Sequence, residues 1–226
     1  MSPYATPPPW PEHPDDTKVI ARNVARLDAE IQAQPGSREA FTLALPLQWH
    51  TQIHAGCTHV PVPEYVGHYR GSALPHLENC PVFFGPFTGN AAGEVARELS
   101  AFENGLQGTL TRLDAALPDA AAATPSRLNV VLEAMASHYA TWLRIHPFAD
   151  GNGRTARILA NWVMVRYWQP LILPGRPTLD AGSLHVATTP AIQSKDYRLL
   201  VIHLRKRLKG ARAAAALTPG AAGPAP

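Results

Sequence analysis

Ile20, Val24, Leu27 and Ile31 recur at spacings of four, three and four, the period of a helix that buries one face. Asp15 and Asp16 stand ahead of them as an N-cap and Pro35-Gly36 behind them as a stop, so a first amphipathic helix is predicted between those limits. A second helical stretch is predicted from about Arg38 to Ala55, running into a loop that Pro61 and Pro63 enforce. From Val66 to Asn90 the helical period is lost among Gly, Pro and aromatic residues, and Pro81-Val82-Phe83-Phe84-Gly85 reads as a short strand or hairpin arm. Helical spacing resumes at Val95, Leu99, Phe102 and Leu106 and runs to about Leu117, with a break expected near Gly105 and Gly108. An alanine-rich linker, Asp119 to Pro125, leads into Leu128, Leu132, Met135, Tyr139 and Trp142, at four, three, four and three. Ile158 to Tyr167 is apolar on nearly every side, which places it in the middle of a domain. Pro170 and Pro174 end it, and a last helix is predicted over about Asp196 to Leu208. The sum is an all-α fold, a compact helical bundle with one irregular excursion.

Composition sets the limits. The chain has 226 residues, room for one domain of about 150 to 200 residues with tails. Prolines at 3, 7, 8, 9, 11 and 14 make residues 1–15 a disordered N-terminus, and residues 209–226 form an Ala/Pro-rich tail expected to be disordered too. A single domain is expected over 16–208. No run of about 18 apolar residues is present, so no membrane span is expected. The N-terminus lacks the basic start and apolar stretch of a signal peptide, which points to the cytoplasm, although an effector exported by a specialised machine would look the same. Cys57 and Cys80 fit two free thiols in a reducing compartment.

The formal charge is +3, with Arg205, Lys206, Arg207, Lys209 and Arg212 crowded together. These residues read as a solvated last helical turn, with cations suited to the helix dipole, rather than as a nucleic-acid surface. His50, His54 and His59 lie close in sequence, but with no carboxylate beside them they read as a chance cluster and not a metal site.

The chemistry lies in His146-Pro147-Phe148-Ala149-Asp150-Gly151-Asn152-Gly153-Arg154-Thr155-Ala156-Arg157, between two helices. Gly151 and Gly153 flank Asn152 just before a helix, so backbone N–H groups can point outward at a positive helix terminus, an anion site. Arg154 and Arg157 stand three apart on one face, suited to phosphate contact. Asp150 is placed where a Mg²⁺ bridging two phosphates finds its carboxylate, and His146 is the group able to act as a base near neutral pH. Pro147 stops the preceding helix, and Phe148 would plug the loop into the core. Together these residues point to phosphoryl or nucleotidyl transfer to a hydroxyl. There is no Gly-Lys-Ser/Thr, so the loop is not a Walker A loop.

The segment resembles the motif of the Fic/Doc superfamily, His-x-Phe-x-Asp/Glu-Gly-Asn-Gly-Arg-x-x-Arg, at all eight specified positions. Gly67-His68-Tyr69-Arg70 looks like the opening of that family's β-hairpin flap, and Leu47-Gln48-Trp49-His50 like the helix before it. His138 and Asn161 fit the helices on either side of the loop, so the resemblance covers roughly residues 40 to 208. It implies a helical bundle with a β-hairpin flap over the active site and transfer of AMP from ATP to a Tyr, Thr or Ser hydroxyl of a target protein. By the same resemblance His146 is the general base and Asp150 holds Mg²⁺. Asn152 with the backbone of Gly151 and Gly153 binds the α- and β-phosphates, and Arg154 and Arg157 grip the β- and γ-phosphates. The flap would align the target segment by strand addition within about Leu77 to Phe84, engaging Leu77, Val82, Phe83 and Phe84.

Two departures stand out. Many members carry an inhibitory Ser/Thr-x-x-x-Glu-Gly/Asn helix, and here Glu78-Asn79 and Glu103-Asn104 have leucine at the Ser/Thr position. The resemblance therefore implies a separate antitoxin-like partner that supplies a glutamate to Arg157, or an enzyme without a brake. Where the family often has a tyrosine near the adenine, this chain reads Ser183-Leu184-His185-Val186, which leaves the base open. The alternatives are transfer of UMP or phosphocholine on the same fold and a non-catalytic interaction module. Transfer of a bare phosphate is disfavoured by Gly153, which that branch replaces with lysine.

Overall fold

Two helices at the centre of the chain carry the site between them. A computed structural model of the protein describes residues 7–85, 87–173 and 181–217. Among them run α1 (Pro14–Gln32), α2 (Ala44–Ile53), a 3₁₀ turn (Pro63–Tyr65), β1 (Phe83–Phe84) and β2 (Phe87–Thr88). These are followed by α3 (Ala92–Ala116), α4 (Pro125–Ile145), α5 (Asn152–Arg166), α6 (Ala181–Ser194) and α7 (Arg198–Ala216). The fold is all-α apart from the antiparallel hairpin, in which Phe83 faces Thr88 and Phe84 faces Phe87. Helix α4 packs against α3, α5, α6 and α7, while α1 and α2 cover the other side of α5. The core between them holds Trp142, Phe148, Tyr167, Leu99, Ile53 and Phe41, all buried. Burying each such side chain stabilises the fold by about 1.5–3 kcal/mol.

Several expected boundaries shift for physical reasons. Helix α1 starts at Pro14, with the His13 ring accepting the Asp15 N–H at 3.3 Å. Asp16 leaves the capping role to accept the N–H groups of Thr58 and His59, both at 2.9 Å. Helix α2 begins at Ala44 rather than near Arg38, because Pro46 is tolerated only in a first turn. The residues before it form no regular element and are tied down by Arg38 on Asp114 (2.7 Å) and by the Leu43 N–H on Glu103 (2.9 Å). No break occurs at Gly105 or Gly108, and α3 runs unbroken. Each glycine costs about 1 kcal/mol, which the burial of Val95, Leu99, Phe102, Leu106, Leu110 and Leu113 outweighs.

Helix α6 was not legible in the sequence. Its buried residues Leu184, Ala187 and Ala191 are small or interrupted by Thr, and Pro190 sits inside it.

The tails differ from expectation as well. Helix α7 continues through Ala216, consistent with the high helix propensity of alanine. Part of the basic cluster docks it: Arg212 donates to the Gln169 side chain (2.9 Å), Arg207 to the Ile172 carbonyl (3.1 Å) and Arg205 to Asn129 (3.1 Å). At the other end Trp10 packs against Tyr65 and His54, with ring centroids 5.8 and 4.9 Å apart, and the Tyr65 hydroxyl donates to the Pro8 carbonyl at 2.8 Å. Residues 1–6 and 218–226, Pro86 and Pro174 lie outside the described residues. Among the described residues no helix is long and apolar enough to cross a membrane.

Candidate active site

Helix α4 ends at His146, which adopts a left-handed conformation with φ 52° and ψ 60°. A non-glycine residue in that region costs roughly 1–2 kcal/mol, so the surroundings must hold it. Arg70, buried and still charged although burial pushes its guanidinium down to about 10, does so. It donates to the carbonyls of His146 (2.8 Å), Ile145 (3.1 Å), Cys80 (2.7 Å) and Asn90 (2.9 Å), and its backbone N–H donates to the Pro147 carbonyl (2.8 Å). Opposite, Gly89 passes so close that a Cβ there would stand 2.7 Å from His146 Cβ and 2.7 Å from Val82 Cγ2.

The His146 ring is oriented by its own helix. Its Nδ1 lies 3.0 Å from the Leu143 carbonyl, which can only accept, so Nδ1 carries the proton and Nε2 presents a lone pair. Burial pushes the imidazole down to about 4, only partly opposed by the Leu143 bond, so the ring is neutral at pH 7. Phe84 lies flat on it, centroids 4.1 Å apart and planes 2° from parallel.

The loop after His146 is closed by Asn152. Its side-chain oxygen accepts the Phe148 N–H (2.8 Å) and its Nδ2 donates to the Phe148 carbonyl (2.9 Å). The buried Asn152 amide is thus used inside the loop, and of this residue only the backbone N–H is left for the phosphate contact expected of it. Gly151 caps α5 with φ 77°, and a Cβ there would meet His54 Cε1 at 2.9 Å and His50 Nε2 at 3.1 Å. A Cβ at Gly153 would meet nothing within 4 Å. The Arg154 and Thr155 N–H groups donate to the Gly151 carbonyl at 3.0 and 2.9 Å, which leaves the Asn152 and Gly153 N–H groups for an approaching anion.

Asp150 and the two arginines complete the cluster. Burial raises the Asp150 carboxyl, but the Arg154 guanidinium and the Gly151 N–H more than offset it and hold it below the usual carboxylate range. Arg154 Nη1 contacts Asp150 Oδ2 at 3.0 Å and His54 Nε2 at 3.1 Å, and Nη2 contacts Glu12 Oε1 at 3.2 Å. Arg157 is half-buried and makes no hydrogen bond or ion pair among the described residues. It lines a cleft of about 320 Å³ together with His146, Asp150, Gly153, Phe84 and His185. A second cavity, of about 180 Å³, lies between α1 and α5, and Ile20, Val24, Ile158, Arg154 and Arg157 are among the residues that line it. No group of three His, Cys, Asp or Glu side chains sits together to hold a metal among the described residues. A single ionised carboxylate two residues ahead of the first residue of α5 nevertheless suits Mg²⁺, which usually binds through one or two carboxylates and substrate phosphates.

A profile of the Fic/DOC family matches residues 47–164, just over half of the chain. The chain belongs to the Fic/DOC family. It resembles protein adenylyltransferase fic-1 of Caenorhabditis elegans, 45% identical over 62 residues that span 26% of this chain and 12% of that protein. Protein adenylyltransferase Fic of Drosophila melanogaster is 46% identical over 50 residues, 22% of this chain and 10% of that protein. The matched stretches are thus small parts of much longer relatives. Among solved structures, a Fic domain containing signaling protein from Bacteroides thetaiotaomicron superposes with a TM-score of 0.53 at 19% identity, over 88% of this chain and 72% of that one. BepC of Bartonella tribocorum, a VirB-translocated effector crystallised with AMPPNP, gives 0.59 at 14% identity, over 91% and 93%. At these identities the likeness concerns the fold.

Within this Fic/DOC fold the flap lies further along the chain than expected. The hairpin is Phe83–Thr88. Leu77 and Val82 are buried in a small separate core with Tyr65 and Cys80, since apolar side chains beneath a two-stranded ribbon need their own cover. Phe83 is 71% exposed and Phe84 faces His146. Three residues of the site escaped motif reading, Glu12, His54 and Gly89, and His50 was read only as part of the helix before the flap. The i, i+4 spacing of the two histidines was the signal available, and without the fold nothing showed what they faced.

Proposed function

We propose that this Fic/DOC chain transfers AMP from ATP to a hydroxyl side chain of a target protein. The observation that carries the reading is the neutral His146, its Nε2 without a hydrogen-bond partner among the described residues, in one cleft with Asn152 and Gly153 at the N-terminus of α5, Arg157 and Asp150. His146 Nε2 takes the proton of the target hydroxyl, and the hydroxyl oxygen bonds to the α-phosphorus. The bond from that phosphorus to the β-phosphate oxygen breaks, and pyrophosphate leaves. A base at about 4 is weak in the empty cleft. The negative phosphates of a bound nucleotide raise it toward its task. The α5 N–H groups, Arg154 and Arg157 stabilise the charge that develops on the phosphate oxygens. Asp150 would hold Mg²⁺, which when bound neutralises phosphate charge.

The adenylyltransferase names of the matched relatives and the AMPPNP in the BepC crystal support ATP as the donor. Packing of α1 on α2 and α5 supports one domain spanning the described helices. Free Cys57 and Cys80 suit a reducing, cytoplasmic setting. A partner protein that brings a carboxylate to Arg157 would enter the cavity between α1 and α5.

The test uses ATP labelled at the α- or the γ-phosphate, with Mg²⁺, cell lysate and a His146→Ala control. Protein bands labelled only from the α-position, and lost in the variant, are expected. Labelling from the γ-position would instead mean phosphoryl transfer, and labelling from UTP or CDP-choline alone would reassign the donor.

A further inference from the structure

We infer that His54 is a positioning residue for nucleotide binding, a neutral imidazole that anchors the Arg154 guanidinium from behind without cancelling its charge. The inference rests on the nucleotide-transfer reading of the cleft. His54 Nδ1 lies 2.9 Å from the His50 carbonyl, which accepts, so the Nδ1 proton is committed there and Nε2 faces Arg154 Nη1 as an acceptor at 3.1 Å. Among the described residues Arg154 has two other side-chain partners, Asp150 and Glu12, both carboxylates. Each of those offsets its positive charge and competes with a phosphate for the same N–H groups. A lone pair on a neutral ring orders the guanidinium and leaves the charge available.

The same helix seats the loop. His50 Nδ1 accepts the Gly67 N–H at 3.1 Å, so its Nε2 carries the proton and donates to the Asp150 carbonyl at 3.0 Å. Phe148 stacks on the His50 ring at 4.0 Å. Gly151 lies against both imidazoles, at distances that leave no room for a Cβ. Two rings four residues apart at the end of α2 thus set the loop backbone and its first arginine against one support. Trp10 covers the outer side of His54 at 4.9 Å, which keeps water from replacing the Nε2 contact.

Two substitutions in the full chain separate the roles of the ring nitrogens. His54→Asn retains a donor for the His50 carbonyl but is too short to reach Arg154. His54→Gln places an acceptor at the reach of Nε2. A hydrogen bond to a charged group contributes about 1.5–3 kcal/mol, so His54→Asn should weaken AMPPNP–Mg²⁺ binding by calorimetry, and raise KM for ATP, by about tenfold or more. kcat should fall by less than KM rises, because the Arg154 charge itself is kept, and His54→Gln should stay within about threefold of the wild type on every readout. Wild-type affinity in a folded His54→Asn would overturn the inference. So would a His54→Gln as impaired as His54→Asn while melting at the wild-type temperature, since packing alone would then explain both. If His54→Asn does not fold, His54→Gln decides alone: tenfold weaker binding at the wild-type melting temperature overturns the role. Wild-type protein that neither binds AMPPNP nor transfers α-label defeats the nucleotide-transfer reading itself, and the two failures are thereby distinguished.

Discussion

Glu12, two residues ahead of α1, places its carboxylate 3.2 Å from Arg154 Nη2. No Ser/Thr-x-x-x-Glu pattern announced this glutamate, and it meets the first arginine of the loop rather than Arg157. A carboxylate there competes with phosphate for one guanidinium. Glu12→Gln should therefore tighten AMPPNP–Mg²⁺ binding several-fold, an effect that shrinks as salt screens the pair. Calorimetry at two ionic strengths checks it, and unchanged affinity at low salt would show that the contact does not restrain the site.

The Phe84 ring lies within 4.1 Å of His146 and nearly parallel to it. Phe84→Ala should lift the imidazole from about 4 toward its ordinary 6.5, because burial is the main cause of the depression. Nuclear magnetic resonance titration of the His146 ring reads this directly. Transfer to protein targets should fall while AMPPNP affinity holds, since Phe84 lies on the base side of the cleft. A titration midpoint that stays near 4 would assign the depression to burial by the other neighbours of the ring and to the Arg70 charge.

Arg70 should tolerate no replacement. Its side chain satisfies four buried or half-buried carbonyls around the strained His146. Arg70→Ala leaves them unpaired and should cost on the order of 3–5 kcal/mol. Arg70→Lys should recover little, because an ammonium cannot span the fork. Chemical denaturation measures both, and a loss below about 1 kcal/mol would refute the role.

Asp114 binds Arg38, Arg166 and Tyr167. Burial raises its carboxyl, yet the Arg166 and Tyr167 hydrogen bonds and the two arginine charges hold it below 3.8. The folded state then binds this proton less readily than the unfolded one, so acid favours unfolding. The stabilisation is present above pH 3.8 and is lost as pH falls through the lower folded value. Asp114→Asn should melt below the wild type at pH 7, and the gap should narrow as pH falls below about 3.8. A gap independent of pH would mean that charge plays no part.

Much of this protein was legible as a sequence because local rules govern it. The period of Leu128, Leu132, Met135, Tyr139 and Trp142 suffices for α4, and Pro147 with Gly151 marks where one helix stops and the next starts. The His146–Arg157 cluster is contiguous, so its chemistry could be read without knowing what surrounds it. Local rules failed where competing forces were long-range. Gly105 looked like a break until burial along α3 decided otherwise, and α6 hid behind threonines and Pro190.

The residues decided only by tertiary structure are those brought in from far along the chain. His54 and Arg154 lie 100 positions apart, and Glu12 and Arg154 lie 142 apart. A sequence states which side chains can donate, accept or carry charge. Only packing of α1 and α2 against α5 brings Glu12 and His54 to the same guanidinium, because closing loops of that length depends on burial of the whole core rather than on the residues that finally touch.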